Sequence, residues 1–244
     1  MAELGEGTHD TTVESRTLLR DDCEVPIIHA RTDGMPKAGV VLHPDIMGIR
    51  PLFEDMARRL ASHGFAVAVV EPFARISADE RAAGQDAAVR MQWVAGLDDD
   101  DQLADLEAAA NLLVVEDGVA RVGVLGFCMG GMYTLKAAAT ERFDAAVAFY
   151  GMIRVPQGWG SAHLREPLAT AADVCPTLAI FGSADTFTPA ADIEALRAAW
   201  AGRDDCEIVV IEGAEHGFVH APDRPAHRPD DAQRLWSRAV DWLS

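Results

Sequence analysis

The chain has 244 residues, 49% of them hydrophobic, enough apolar material for a sizeable core without help from disulfides or a structural metal. Lys and Arg number 21 against 39 Asp and Glu, a formal charge of −18, which disfavours binding to nucleic acid or to an anionic membrane through a basic surface. Small molecules are the expected partners, and a single domain over residues 1–244 is the expected organisation.

Residues 1–10 are polar and acidic and read as a flexible start, lacking the positive segment and apolar run of a secretory signal. No apolar run approaches the roughly 18 residues of a membrane span, so a soluble, cytoplasmic protein is expected. Residues 11–19 and 23–29 read as two short strands around Arg20-Asp21-Asp22, an antiparallel hairpin-like opening. From Lys37 onward the pattern changes. Near-continuous apolar runs at 39–42, 65–70, 121–125, 145–149, 176–181 and 206–211 suit parallel strands buried on both faces.

The segments between these runs carry helix signals. Pro51 opens one helix, Leu52, Met56 and Leu60 share a face of it, and Gly64 ends it. Residues 77–95 predict a second helix. A third starts in the run Asp98-Asp99-Asp100-Asp101 and continues through Leu103, Leu106, Ala110 and Leu113. That acidic run lacks the spaced ligands and central glycine of a calcium loop, so it reads as helix capping. Thr188-Pro189 opens another helix through Ile193, Leu196 and Trp200, and residues 230–243 form the last. The alternation predicts an α/β fold, a mostly parallel sheet with helices on both faces. Residues 152–172, with Pro156, Gly158, Gly160 and Pro167, lack periodicity; they read equally well as a lid and as a surface excursion anchored by Trp159.

Chemistry concentrates in Gly126-Phe127-Cys128-Met129-Gly130, directly after the run Val122-Gly123-Val124-Leu125. This is the G-x-S-x-G nucleophile elbow with Cys in place of Ser: a sharp strand-to-helix corner that exposes a side chain beside a backbone N–H and a helix N-terminus. A thiol needs a base and the base an orienting acid. Asp185 follows one apolar run and His216 follows the next, so nucleophile, acid and histidine occur in α/β-hydrolase order, each at a strand's carboxyl end. Taken singly, Asp185 reads also as a helix-capping acid, and the glycines of the elbow as aids to close packing.

On G-F-C-M-G-G, on G-S-A-D-T-F-T-P and on G-A-E-H-G-F, the chain resembles the dienelactone hydrolase family of α/β-hydrolases from about Gly39 to the C-terminus. The segment His43-Pro44-Asp45-Ile46-Met47-Gly48 is similar to that family's acid-Ile-aromatic-Gly segment. The resemblance implies a cofactor-independent hydrolase of small esters or lactones with Cys128 as nucleophile, His216 as base and Asp185 as orienting acid. It also implies an oxyanion hole made by the N–H groups of Ile46 and Met129, and a thiol-gating role for Asp45, shorter by a methylene than the family's usual Glu. From the sequence alone, Asp45 reads equally as a cap for the segment leading to Pro51.

His220 stands four residues after His216, where the resemblance places an arginine that holds a substrate carboxylate. Arg75, Arg90 and Arg154 are candidates for a replacement cation, though each reads more readily as a solvated surface residue. Tyr150, Trp159, Phe218 and His220 are candidate pocket residues, with core packing as the alternative. No metal is expected: His216-x-x-x-His220 has neither a Glu-x-x-His context nor a third ligand. The wide spacing of Cys23, Cys128, Cys175 and Cys206 resembles neither a disulfide framework nor a paired zinc motif, and Cys175 and Cys206 read as ordinary buried or half-buried thiols. A non-enzymatic or redox-sensing scaffold that uses Cys128 as a reactive thiol is the alternative function, and acyl transfer to an acceptor other than water is a third possibility.

Overall fold

The structure, a computed structural model, describes residues 4–244. Eight strands form one sheet: β1 (Thr11–Arg20), β2 (Cys23–Thr32), β3 (Ala38–His43), β4 (Phe65–Val70), β5 (Val122–Phe127), β6 (Ala145–Phe149), β7 (Thr177–Gly182) and β8 (Cys206–Ile211). Their spatial order is β1-β2-β4-β3-β5-β6-β7-β8. β1 pairs antiparallel with β2 and β2 antiparallel with β4, while every pairing from β4 to β8 is parallel. The expected fold is therefore observed. The β2–β4 pairing was not legible, because strand order depends on contacts distant in sequence.

Burial follows position in the sheet. β3, β4, β5, β6 and β7 are buried throughout, as strands covered on both faces must be, whereas the edge strand β1 is nowhere fully buried. One face is covered by α1 (Pro51–Ser62) and α7 (Pro229–Trp242), through Phe53, Met56, Leu60, Leu235 and Trp236. The other is covered by α4 (Asp99–Asp117), α5 (Met129–Ala137) and α6 (Ala190–Ala199), through Leu106, Met132, Leu135, Ile193 and Leu196. Trp236 is fully buried, so truncation to Ala would cost about 3–5 kcal/mol.

Two expectations need correction. The helix expected over 77–95 is two, α2 (Ala78–Ala83) and α3 (Ala87–Val94), because Gly84 ends the first and the Asp86 carboxylate caps the second through the Ala88 N–H. Of the start expected to be flexible, residues 1–3 lie outside the described residues. Residues 4–10 are held against α1: Leu4 is buried, Arg59 donates to its carbonyl, and the Gly7 N–H donates to Ser62 Oγ. Residues 152–172 carry two short 3-10 turns, Gln157–Trp159 and Pro167–Ala169, and bury Met152, Ile153 and Trp159. Among the described residues no helix is long and apolar enough to cross a membrane.

β3 lies between β4 and β5, so the chain leaves β3 toward one side of the sheet and leaves β5 toward the other. Such a reversal opens a crevice beyond the carboxyl ends of the two strands. The loop after β3 carries Asp45, Ile46 and Met47, and the corner after β5 carries Cys128.

Candidate active site

Cys128 sits between β5 and α5 with φ 56° and ψ −119°, a left-handed-side backbone that costs a non-glycine residue roughly 1–3 kcal/mol and persists only where its surroundings enforce it. The surroundings are close backbone contacts. A Cβ on Gly126 would stand 2.2 Å from the Gly130 carbonyl oxygen, and one on Gly130 would stand 2.2 Å from that of His43. The Cys128 N–H donates to the Phe149 carbonyl at 3.0 Å, and its own carbonyl accepts from Met132 in the first turn of α5. The thiol is held up at the helix start and remains half-buried.

Asp185 lies in the turn after β7 and His216 in the turn after β8. His216 Nδ1 donates to Asp185 Oδ2 at 2.8 Å, and the Asp185 side chain is wholly buried. The other Asp185 oxygen accepts from the Phe187 N–H at 2.8 Å, so the residue both shapes its own turn and orients the imidazole. Tyr150 meets the His216 ring edge-on at 5.2 Å and Phe187 lies over it at 4.8 Å. His216 Nε2 is buried and makes no well-formed hydrogen bond. Burial disfavours charge on the ring, but the Asp185 hydrogen bond and the neighbouring Cys128 outweigh it and raise its pKa to about 9.

Cys128 and His216 border a cavity of about 350 Å³. Met47, Met91, Trp159 and Phe187 give it apolar walls, and Ile46 lies along it. Trp159, one of the four pocket candidates, is thus on the wall, pinned by its indole N–H to the Met91 sulfur. Among the described residues no hydrogen bond engages the N–H of Ile46 or of Met129, the latter being the first residue of α5.

Three candidate residues are not on the wall. Phe218 is fully buried against Tyr150, a core position. Tyr150 and His220 are fully buried beneath the site, joined by Tyr150 Oη to His220 Nδ1 at 2.5 Å. His220 Nε2 in turn donates to Asp45 Oδ2 at 2.7 Å. Asp45 lines the cavity, but the donors to its carboxylate are His220, the Met47 N–H at 2.9 Å and the two terminal nitrogens of Arg50 at 2.6 and 2.8 Å; the thiol is not among them. Burial raises the Asp45 pKa, and the His220 and Arg50 hydrogen bonds and charges overcome that and hold it well below the usual carboxylate range.

The three candidate cations are engaged elsewhere. Arg75 pairs with Asp105, Arg154 with Asp192, and Arg90, on α3, is buried with its Nε donating to the Gly84 carbonyl. The cavity is lined instead by Arg50 and Arg224, which sequence reasoning missed, as it did Met47, Met91 and Phe187. Arg50 carried a signal, standing five residues after Asp45 and immediately before Pro51. Among the described residues no group of three His, Cys, Asp or Glu side chains is placed to hold a metal ion.

Comparison with known proteins identifies the family. Residues 25–244 match the model of the dienelactone hydrolase family. A provisionally named carboxymethylenebutenolidase of Methylorubrum extorquens is 33% identical over 217 residues, covering 86% of this chain and 73% of that protein. The carboxymethylenebutenolidase of Rhodococcus opacus is 30% identical over 240 residues, 96% of this chain and 91% of that one. The crystal structure of a provisionally named dienelactone hydrolase from Klebsiella pneumoniae superposes with a TM-score of 0.87 at 26% identity, covering 96% of this chain and 98% of that one. The chain belongs to the dienelactone hydrolase family, with its α/β-hydrolase fold, and is a hydrolase of lactone or ester bonds.

Proposed function

We propose that the protein hydrolyses small carboxylic esters or lactones, without a cofactor, through Cys128 as a covalent nucleophile. The observation that carries this reading is the meeting of Cys128 and His216 at one cavity, with His216 Nδ1 committed to the buried Asp185 behind it and Nε2 left uncommitted. In the proposed reaction the attacking state is the ion pair in which His216 Nε2 already holds the thiol proton, and the thiolate sulfur bonds to the substrate carbonyl carbon, moving an electron pair onto the oxygen. The N–H groups of Ile46 and Met129 stabilise that oxyanion, an effect worth about 10²–10³ in rate per donor. The intermediate collapses, the C–O bond breaks, and His216 gives its proton to the leaving alkoxide. Water, deprotonated by His216, then attacks the thioester and releases the acid and the thiol.

The apolar walls of Met47, Met91, Trp159 and Phe187 support acyl groups of modest size. Four free cysteines support a reducing, cytoplasmic setting. A panel of p-nitrophenyl esters and lactones, run beside Cys128→Ala, tests the assignment. Turnover by the wild type and its loss in the variant are expected. Near-normal turnover by Cys128→Ala would refute it, and no turnover by the wild type together with rapid sulfenic acid formation would favour a redox sensor.

A further inference from the structure

Beneath the triad lies a buried polar chain that the proposed chemistry leaves unused. It runs from Tyr150, just after β6, through His220 to Asp45, in the loop after β3, and on to Arg50 at the start of α1. A carboxylate can only accept, so His220 Nε2 carries the hydrogen given to Asp45, and Nδ1 is left to accept from the Tyr150 hydroxyl. The balance of the surroundings favours this neutral form. Burial lowers the His220 pKa against the opposing pull of Asp45, with Arg50 and Arg224 adding to the lowering, and burial beside Asp45 and Cys128 keeps the Tyr150 hydroxyl protonated. The rings of Phe127 and Phe53 pack the imidazole at 4.9 and 6.0 Å.

The Asp45 carboxylate has about four acceptor directions, and four donors fill them. Oδ1 takes the Met47 N–H and one Arg50 nitrogen, and Oδ2 takes the other Arg50 nitrogen and His220. The bond to Met47 bridges Ile46, closing a small turn whose middle residue carries one of the two oxyanion N–H groups in the mechanism above. His220 ties this turn to the segment bearing the catalytic histidine.

We propose that His220, fixed by Tyr150, is a positioning residue that anchors the Asp45-Ile46-Met47 turn and so aims the Ile46 N–H at the developing oxyanion. Asp45 in this protein is the keystone of that turn and does not gate the thiol, because a bond to sulfur would require one of its four donors to leave. The inference rests on the cysteine-hydrolase reading above, and its test separates the two.

Alkylation of Cys128 by iodoacetamide is a displacement at saturated carbon: it needs the sulfur and His216 but forms no oxyanion. Ester hydrolysis needs all three. In His220→Leu, kcat for p-nitrophenyl acetate should fall about ten- to hundredfold, part of the 10²–10³ that loss of an oxyanion donor costs, with KM changed less than about threefold. The alkylation rate constant should stay within about twofold of wild type. His220→Gln, which keeps a donor for Asp45 and an acceptor for Tyr150, should recover kcat to within about threefold. Should His220→Leu fail to fold, Tyr150→Phe gives the same readout, a roughly three- to tenfold fall in kcat with unchanged alkylation. Alkylation that rises or falls in step with kcat would overturn the positioning role in favour of thiol gating or general damage, and an unchanged kcat would overturn it outright. Persistent turnover by Cys128→Ala would instead bring down the underlying reading.

Discussion

His216 and His220 stand four residues apart, and each bonds a carboxylate, at 2.8 and 2.7 Å respectively. Yet they are opposites. His216 keeps one nitrogen uncommitted at the edge of a cavity that also holds the thiol, while His220 is sealed and both its nitrogens are engaged. A third pair, His29 with Asp117, repeats the second pattern on β2, where Arg16 contacts the other ring nitrogen at 3.0 Å. An acid beside a histidine therefore does not mark a base. What separates the two is whether the far nitrogen is free to exchange a proton with something outside the core.

The sharpest way to break this comparison is to remove the two imidazoles in turn. His216→Ala should lower kcat/KM for a small activated ester by at least about 10³, against the ten- to hundredfold of His220→Leu, and Asp185→Asn should cost about 10²–10⁴ by releasing the ring's tautomer. Equal losses at 216 and 220 in steady-state kinetics would abolish the distinction.

Stability against pH should sharpen it, because the two shifts have opposite sign. His216 has a folded pKa raised to about 9 from an ordinary value of about 6.5. Its charged form contributes fully below about pH 6.5, and the contribution is lost as pH rises through about 9. The folded pKa of His220 is lowered, so its contribution holds above about 6.5 and is lost on acidification below that. In urea denaturation at pH 5, 7 and 9.5, His216→Ala should flatten the alkaline limb by about 1–3 kcal/mol and His220→Leu should flatten the acidic one.

The smallest effect concerns the wall that only His216 shares. Phe187 is 44% exposed and lies over that ring, so Phe187→Ala should raise KM about two- to fivefold with kcat nearly kept. A larger fall in kcat than rise in KM would show that the phenyl ring orients the imidazole as well as meeting substrate.

Much of the scaffold is legible in the chain because it rests on local rules. Buried parallel strands announce themselves as apolar runs, and Pro51, the acidic start of α4 and the elbow glycines act within a few residues of where they stand. The order Cys128, Asp185, His216 is legible for the same reason: each follows its own strand. The rest depends on pairing across the fold. Nothing near Arg75 reveals that Asp105 will take it, or near Arg154 that Asp192 will. His220 and Phe218 look like pocket residues beside His216 in sequence, but the chain turns inward there and buries both. The cavity wall is drawn from segments as distant as Met47, Met91, Trp159 and Phe187, which no spacing rule connects.

The contact between Gly130 and the end of β3 has a further consequence. Main chain rests on main chain there, leaving a side-chain carbon at position 130 only 2.2 Å from the His43 oxygen and 2.3 Å from that of Pro44. The proposed oxyanion donors flank this contact, Ile46 on the β3 side and Met129 on the α5 side, so their separation is set by a missing methyl group. A single added carbon would pry the two apart and disarm the enzyme while sparing every atom that touches substrate.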